Sequence, residues 1–408
     1  MMRRGQLSDH FEGVAVKRLS AVETSPAVSN QHEFNGSAPL RKLLGDADRK
    51  NIPATFIWLE QEQQAITVES SISWYDARRR HPVRTEYRLY YPRNEVTEMM
   101  TADDVMFLAM RKNGSAMVIF TPADSTIQSQ LSWLFGLEEQ PELRFHFQEI
   151  DGRKDAELDF AARYILDELG VEPEEPEADQ LDALIEEFGL TFPTTRVFSD
   201  LARRSLPEIS SIDDPDLALL CWMEREEQLF RRLERRIVAD KIERGFSSAS
   251  GADVDGFLKF SLSVQNRRKS RAGAALENHL ESIFQQHKLR YARGVVTENK
   301  NKPDFLFPGG AEYRDEAFPD NRLTMLGSKS TLKDRWRQVL SEAERISEKH
   351  LLTLEPSISE NQTDEMRAKS LQLVVPKGIH TTYNERQRKW LLDLAGFLEI
   401  VKARQDAR

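Results

Sequence analysis

Two hydrophobic periods share this chain, and they occupy different halves of it. Up to about residue 125, apolar residues come in short runs: GVAVKRL, ATFIWL, QAITVES and SAMVIFT. These are rich in β-branched and aromatic side chains and are separated by Gly, Asn or Pro, which reads as strands. Many short strands without long helices predict a small barrel or sandwich. From about residue 182 the spacing turns helical, in DALIEEF, RVFSDLARRS and DLALLCWMEREEQLFRRLERRIVADKIERG. After Gly251 the expected order is helix (265–288), strand (303–307), strand (322–330), helix (333–349), strand (371–375) and helix (384–402). That alternation is an α/β pattern. Between the halves lie a helical stretch near 154–169 and the acidic, proline-punctuated GVEPEEPEADQ. The expectation is an α+β chain of two domains, 1–165 and 186–408, joined by a linker over 166–185.

Of the 408 residues 39% are hydrophobic, enough to bury two cores. The single cysteine, Cys221, excludes an intrachain disulfide and a cysteine-rich zinc site. No apolar run approaches the roughly 18 residues of a membrane span, and MMRRGQLSDHFEG does not read as a secretory signal. A cytoplasmic protein is expected. The net charge of −10 argues against a protein that merely coats nucleic acid. It leaves room for local basic surfaces.

The segment NKNKPDFLFPGGAEYRDEAFPDNRLTMLGSKSTLKDRWRQVLSEAE, residues 299–344, carries the chemistry. Asp304 heads an apolar strand, Lys329 lies on the next strand-like run, and Glu342 falls on the helix expected to follow. Phosphodiester hydrolysis needs a hard cation to polarise the phosphate and acidify a water, and carboxylates on neighbouring elements supply its oxygen ligands. A lysine beside them can steady the water and the charge growing on phosphorus. An Asp–Lys pair alone is weak, because such pairs are mostly surface charges. Glu277 and Glu281 lie one turn apart beside an apolar helix face formed by Leu276, Leu280, Ile283 and Phe284. That flank suits a further metal-directed carboxylate or a solvated face equally.

KPDFLFP, SKSTLKDRWRQVL and SVQNRRKSRAGAALENHLESIF closely resemble the catalytic domain of EcoRII-type (type IIE) restriction endonucleases, from about residue 186 onward. The resemblance continues, shorter and gapped, through VKRLS near residue 17. It implies a restriction-endonuclease-like PD-(D/E)xK core with Asp304, Lys329 and Glu342 as the catalytic cluster, and Asp304 and Glu342 as ligands of Mg2+. In this subfamily the last carboxylate has moved off the lysine's strand, where Gly327 and Ser328 stand here. Tyr313 matches an active-site-proximal tyrosine, although packing under the sheet explains it equally. Glu277 joins the catalytic candidates.

Lys333, Asp334 and Arg335 open the helix expected after the catalytic strand. Lys and Arg donate to guanine's major-groove acceptors and Asp accepts from cytosine's amino group, so the triplet suits readout of G·C pairs. The resemblance implies a CC/GG-containing site. A plain helix start, with Asp334 favoured by the dipole, is the alternative. Arg267, Arg268, Lys269 and Arg271 form a basic run suited to phosphates. The resemblance departs at Trp222-Met223-Glu224-Arg225-Glu226-Glu227. An ungapped alignment puts Met223 and Glu227 where base-flipping relatives carry an arginine and an aromatic residue. Either Trp222 and Arg225 hold the base in a shifted register, or the central bases are treated differently.

The N-terminal half resembles the effector-binding domain of the same family, a β-pseudobarrel of the plant B-three kind that grips DNA with two arms. Lys17, Arg18, Asn30, Gln31 and His32 fall in one arm; Arg80, Arg84, Glu86 and Arg88 fall in the other. The resemblance implies a homodimer, double-stranded DNA bound in two or more copies of the site, and a cognate DNA methyltransferase as functional partner. No membrane partner is expected. A repair or nicking nuclease of the same fold and a non-cutting two-module DNA-binding regulator are the rival readings.

Overall fold

The computed structural model describes residues 6–24, 32–60, 65–137, 140–150, 158–171, 178–248, 251–332 and 335–407, without the side chain of Lys269. The chain divides into two compact units: Arg3–Glu174 with Ser357–Asn361, and Glu175–Pro356 with Gln362–Arg408. The Pro173–Pro176 stretch of the expected linker lies outside the described residues.

The first unit holds an eight-stranded sheet. Its strands are β1 (Phe11–Arg18), β2 (Glu33–Asn35), β3 (Arg49–Trp58), β4 (Ile66–Asp76), β5 (Tyr87–Tyr90), β6 (Val105–Arg111), β7 (Ala116–Thr121) and β8 (His146–Glu149). They are ordered β2-β5-β4-β3-β7-β6-β1-β8. All neighbours are antiparallel except β3 and β7, which run parallel.

The period of two explains why β6 and β7 read as unbroken apolar runs. Met106, Leu108, Met110, Val118 and Phe120 enter one core, and Val105, Phe107, Ala109, Met117 and Ile119 enter the other. Both faces are covered, the second by the helices Thr126–Leu134 and Phe160–Glu168. The two end strands approach one another: Phe34 of β2 meets Phe145, just before β8, edge to face at 6.1 Å.

The second unit carries a small hairpin, β9 (Ser247–Ser248) with β10 (Gly251–Ala252), and a five-stranded mixed sheet. The sheet runs β11 (Ala292–Arg293), β12 (Phe305–Phe307), β13 (Thr324–Lys329), β14 (Lys349–Thr353), β15 (Leu371–Val374), parallel from β13 onward. Two long helices, Pro215–Arg244 and Val254–Gln286, precede it. Asp214 and Asp253 cap them, accepting the N–H groups of Leu217 and Gly256. Phe284 of the second helix packs edge to face on Phe305 and Phe307 at 5.0 and 5.1 Å. Phe397 of the C-terminal helix Leu394–Asp406 meets Phe307 on the same face.

Three expected elements differ. The helix expected at 333–349 is only Trp336–Val339, and β14, which begins at Lys349 where that helix is expected to end, is an additional strand. The residues between have helix-forming composition, but Ala343 sits at φ 48°, which interrupts any helix. The helix expected at 384–402 is two, Glu385–Arg388 and Leu394–Asp406. Between them Leu392 exchanges backbone hydrogen bonds with Leu373 and Val375, lengthening the sheet edge. The 265–288 helix begins eleven residues earlier, at Val254.

Candidate active site

β13 places the site. Side chains alternate along a strand, so Gly327 and Lys329 share one face. The registers Gly327↔Leu351 and Lys329↔Thr353 put Leu351 and Thr353 of β14 on that face, and Lys349 with them. The Trp336–Val339 helix covers this face closely, because position 327 has no side chain. A Cβ there would come within 3.0 Å of a Val339 methyl.

Asp304, one residue before β12, reaches the end of β13. Its Oδ2 accepts from the Ser328 N–H at 2.6 Å, the Ser328 hydroxyl at 3.3 Å and Lys329 Nζ at 2.9 Å. Three donors converge on that one oxygen, which leaves Oδ1 to other ligands. Glu342 lies in the loop after the short helix, not on a helix as expected. It is 9% exposed, and its Oε2 has no hydrogen-bond partner among the described residues. Burial pushes its carboxyl up to about 7. The charge of Asp304 acts in the same direction, while Lys329 and Lys349 pull it down. The structure thus gathers Asp304, Lys329 and Glu342 at one sheet end.

Glu277 is elsewhere in the ionic scheme. Its Oε2 accepts from Arg293 Nε at 3.1 Å and Nη2 at 2.6 Å, and Glu281 takes Arg293 Nη1 at 3.0 Å. Tyr313 is 3% exposed, and its hydroxyl donates to Glu298, 2.8 and 2.7 Å from the two carboxylate oxygens. Burial, and then that bond, push the phenol pKa well up. Glu298 was not singled out in the sequence; it lies in a polar run, ENKNK, with no period to mark it.

Lys333 and Asp334 lie outside the described residues, as does the Lys269 side chain. Arg335 is exposed, its Nη2 donating to the Thr331 carbonyl at 2.8 Å and hydroxyl at 2.6 Å. Of the basic run, Arg267 stacks over Phe192 at 4.4 Å and Arg268 donates to buried Glu234 at 2.6 Å. Arg271 corrects the expectation of a phosphate contact: it is 6% exposed, bonded to Glu226 at 3.0 Å and stacked on Phe198. Apolar neighbours on the helix pair enclose it, so it serves the core. Trp222 and Arg225 are also buried, so neither is presented as a base-holding side chain in this conformation.

In the first unit Lys17 is corrected likewise. It is 5% exposed, paired with Glu23 at 2.5 Å, and sits between the Phe34 and Phe145 rings. Inward alternation on β1 puts it there. Arg18 is half-buried with its guanidinium 3.9 Å from Asp124. His32 packs on Tyr91 at φ 45°, and Asn30 and Gln31 lie outside the described residues. Arg80 and Arg84 are exposed, whereas Arg88 pairs with Glu86, which also holds Arg78.

An aspartate and a lysine at the ends of neighbouring strands, with a second carboxylate beside them, put hard oxygen donors and an ammonium together, a set suited to a divalent cation and an anionic substrate. A family model described as "EcoRII C terminal" matches residues 230–398. That match covers less than half of the chain. Over 186 residues the chain is 46% identical to the type II restriction enzyme EcoRII of Escherichia coli. The match spans 45% of this chain and 45% of that enzyme, less than half its length. Among solved structures it is similar to a metal-depleted Ecl18kI in complex with uncleaved, modified DNA. That pair shares 20% identity and a TM-score of 0.43, over 56% of this chain and 84% of the other. It is also similar to a PspGI–substrate DNA complex, at 14% identity and a TM-score of 0.44, over 52% and 93% of the chains. No described helix is long and apolar enough to cross a membrane.

Proposed function

We propose that the chain is a type II restriction endonuclease that hydrolyses double-stranded DNA at a short palindromic CC/GG-containing site, with Mg2+ at Asp304 and Glu342. One observation carries it. Within the residues matched by the EcoRII C-terminal family model, a fixed Asp304–Lys329 pair lies beside a buried carboxylate with an unpartnered oxygen. Leaving a buried carboxylate oxygen unpaired is costly, and a hard cation removes that cost. Asp304 Oδ1 and Glu342 Oε2 are hard oxygen donors of the kind Mg2+ takes. When bound, the cation supplies Lewis-acid polarisation of the phosphate and a more acidic water.

The chain's own residues do the rest. The Ser328 N–H fixes Asp304, so its free oxygen keeps one orientation. Lys329 Nζ keeps one hydrogen bond to Asp304 and has two further N–H donors, one for the attacking water and one for the phosphate oxygen gaining charge. Burial of Glu342 excludes water from that side. Arg335, with Lys333 and Asp334, is the proposed base reader, and Arg267, Arg268 and Lys269 the proposed phosphate side. A palindromic site calls for a two-fold homodimer, and a restriction enzyme calls for a cognate methyltransferase in a bacterial cytoplasm.

The first unit is the proposed effector domain, a pseudobarrel closed by the Phe34–Phe145 contact between its end strands. Arg80 and Arg84 are the side chains it presents to a second copy of the site.

Cleavage of plasmid with Mg2+ tests the proposal. Asp304→Ala or Lys329→Ala should lower cleavage at least about 1,000-fold, as loss of a core catalytic group does, with cognate DNA still bound in Ca2+. Near wild-type cutting by either variant defeats it. Short duplexes carrying the site should also speed cleavage of one-site plasmids, and Arg84→Ala should remove that response.

A further inference from the structure

The loop that carries Glu342 has no regular structure of its own to hold it. Its segment 341–346 is irregular, and Ala343 takes a left-handed φ of 48° that L-residues adopt at a cost. Such a turn persists only where its surroundings fix it. Those surroundings are on the neighbouring strands. Lys349, the first residue of β14, is 8% exposed, and its Nζ donates to the Ala343 carbonyl at 3.0 Å and the Ile346 carbonyl at 2.7 Å. The two acceptors flank the turn, so one ammonium closes it. From the other side Asn301 Nδ2 donates to the Ser341 carbonyl at 2.7 Å, and Glu298 accepts the Glu344 N–H at 3.3 Å.

We propose that Lys349 is a positioning residue for the metal site: it fastens the Ala343 turn so that Glu342 faces Asp304 and Lys329, with Asn301 as a second, weaker fastening. A buried ammonium that bonds two main-chain carbonyls and no carboxylate is expensive to keep, and fixing this turn is the use the geometry gives it. Strand β14 therefore contributes more than a central rung of the sheet. The inference rests on the reading of Glu342 as a cation ligand. It concerns how that ligand is held, not what is hydrolysed.

The test is calcium binding by calorimetry on the full-length protein with cognate duplex, alongside the Mg2+ dependence of cleavage. Lys349→Met keeps the apolar stem and removes both hydrogen bonds. It should weaken Ca2+ binding about tenfold, raise the Mg2+ needed for half-maximal cleavage by a like factor, and largely restore the rate at saturating Mg2+. Asn301→Ala, at a partly exposed position where folding is safe, should give the same pattern at about threefold. Adding Ala343→Gly to Lys349→Met should recover part of the loss, because glycine takes the left-handed turn without help. Wild-type Ca2+ affinity in folded Lys349→Met overturns the proposal. If Lys349→Met does not fold, wild-type affinity in Asn301→Ala overturns it. A wild-type protein that neither binds Ca2+ nor cleaves DNA would instead defeat the proposed function.

Discussion

Charge is handled in opposite ways by the helical region before the sheet and by the sheet end that follows it. On the long helices nearly every expected functional charge is taken up by a partner. Glu226 holds Arg271 at 3.0 Å, Glu234 holds Arg268, and Glu277 and Glu281 share Arg293. At the sheet end Glu342 is buried without an ion pair among the described residues, and Arg335 stands exposed on its own turn. Glu226 and Glu234 also keep one oxygen each without a hydrogen-bond partner, but each has an arginine on the other. Both regions carry similar residue types, so composition does not separate them; pairing does. A buried ion pair whose members satisfy each other is architecture, and breaking it costs stability. A buried carboxylate that no cation of the chain pairs is arranged for something that arrives later.

The sharpest way to break this contrast is to neutralise one glutamate from each region. Glu342→Gln should lower Mg2+-dependent cleavage about 100-fold or more, since it removes a cation ligand, while leaving the metal-free fold intact or more stable. Glu277→Gln should do the reverse. Cleavage should stay within several-fold of wild type, and the melting temperature should fall because Arg293 loses its closest carboxylate. Cleavage rates and thermal melts of the two variants side by side decide it. A Glu277→Gln enzyme as inactive as Glu342→Gln would place that helix carboxylate in the chemistry after all.

This contrast also marks what could be read from the sequence. The change of period between the two halves, the strands β1, β3, β4, β7, β12, β13 and β15, and the placing of Asp304 and Lys329 on adjacent strands follow from periodicity and one unusual motif. The position of Glu342 does not, because 341–348 has helix-forming composition and only tertiary hydrogen bonds from Asn301, Glu298 and Lys349 hold it off the helix. β14 was missed for the same reason: KHLLT is five residues, buried throughout, and shows no alternation. Lys17 and Arg271 were read as donors to DNA because a sequence shows that a residue is basic but not which way its strand or helix turns it.

A smaller effect concerns pH. The folded Glu342 carboxyl is raised to about 7 from an ordinary 4.5. Below pH 4.5 it is protonated in folded and unfolded chains alike and costs nothing. Between about 4.5 and 7 the unfolded chain ionises first, so the metal-free protein loses stability as pH rises, and above 7 the full cost is present. Melting curves without divalent metal should show wild type falling relative to Glu342→Gln across that window, and Ca2+ should close the gap above pH 7. Parallel curves from pH 4.5 to 8 would mean that Glu342 ionises without penalty and is not held in an incomplete site.

The smallest effects separate the two regions' arginines. Among the described residues Arg335 reaches no carboxylate, so its removal should leave the melting temperature unchanged and act on DNA alone. If it reads a guanine, Arg335→Ala should cost cognate affinity about 1–3 kcal/mol per half-site, with random DNA bound as before. Arg268 is committed to buried Glu234, so Arg268→Ala should lower the melting temperature by leaving that carboxylate unpaired. Any loss of DNA affinity from Arg268→Ala should fall equally on cognate and random duplexes and flatten the salt dependence, as a phosphate contact requires. Binding titrations in Ca2+ at two salt concentrations, on both duplexes, resolve all of these. Equal losses on the two duplexes for Arg335→Ala would make it a phosphate clamp. A selective loss for Arg268→Ala would put base reading on the helical region and reverse the division of labour argued from pairing.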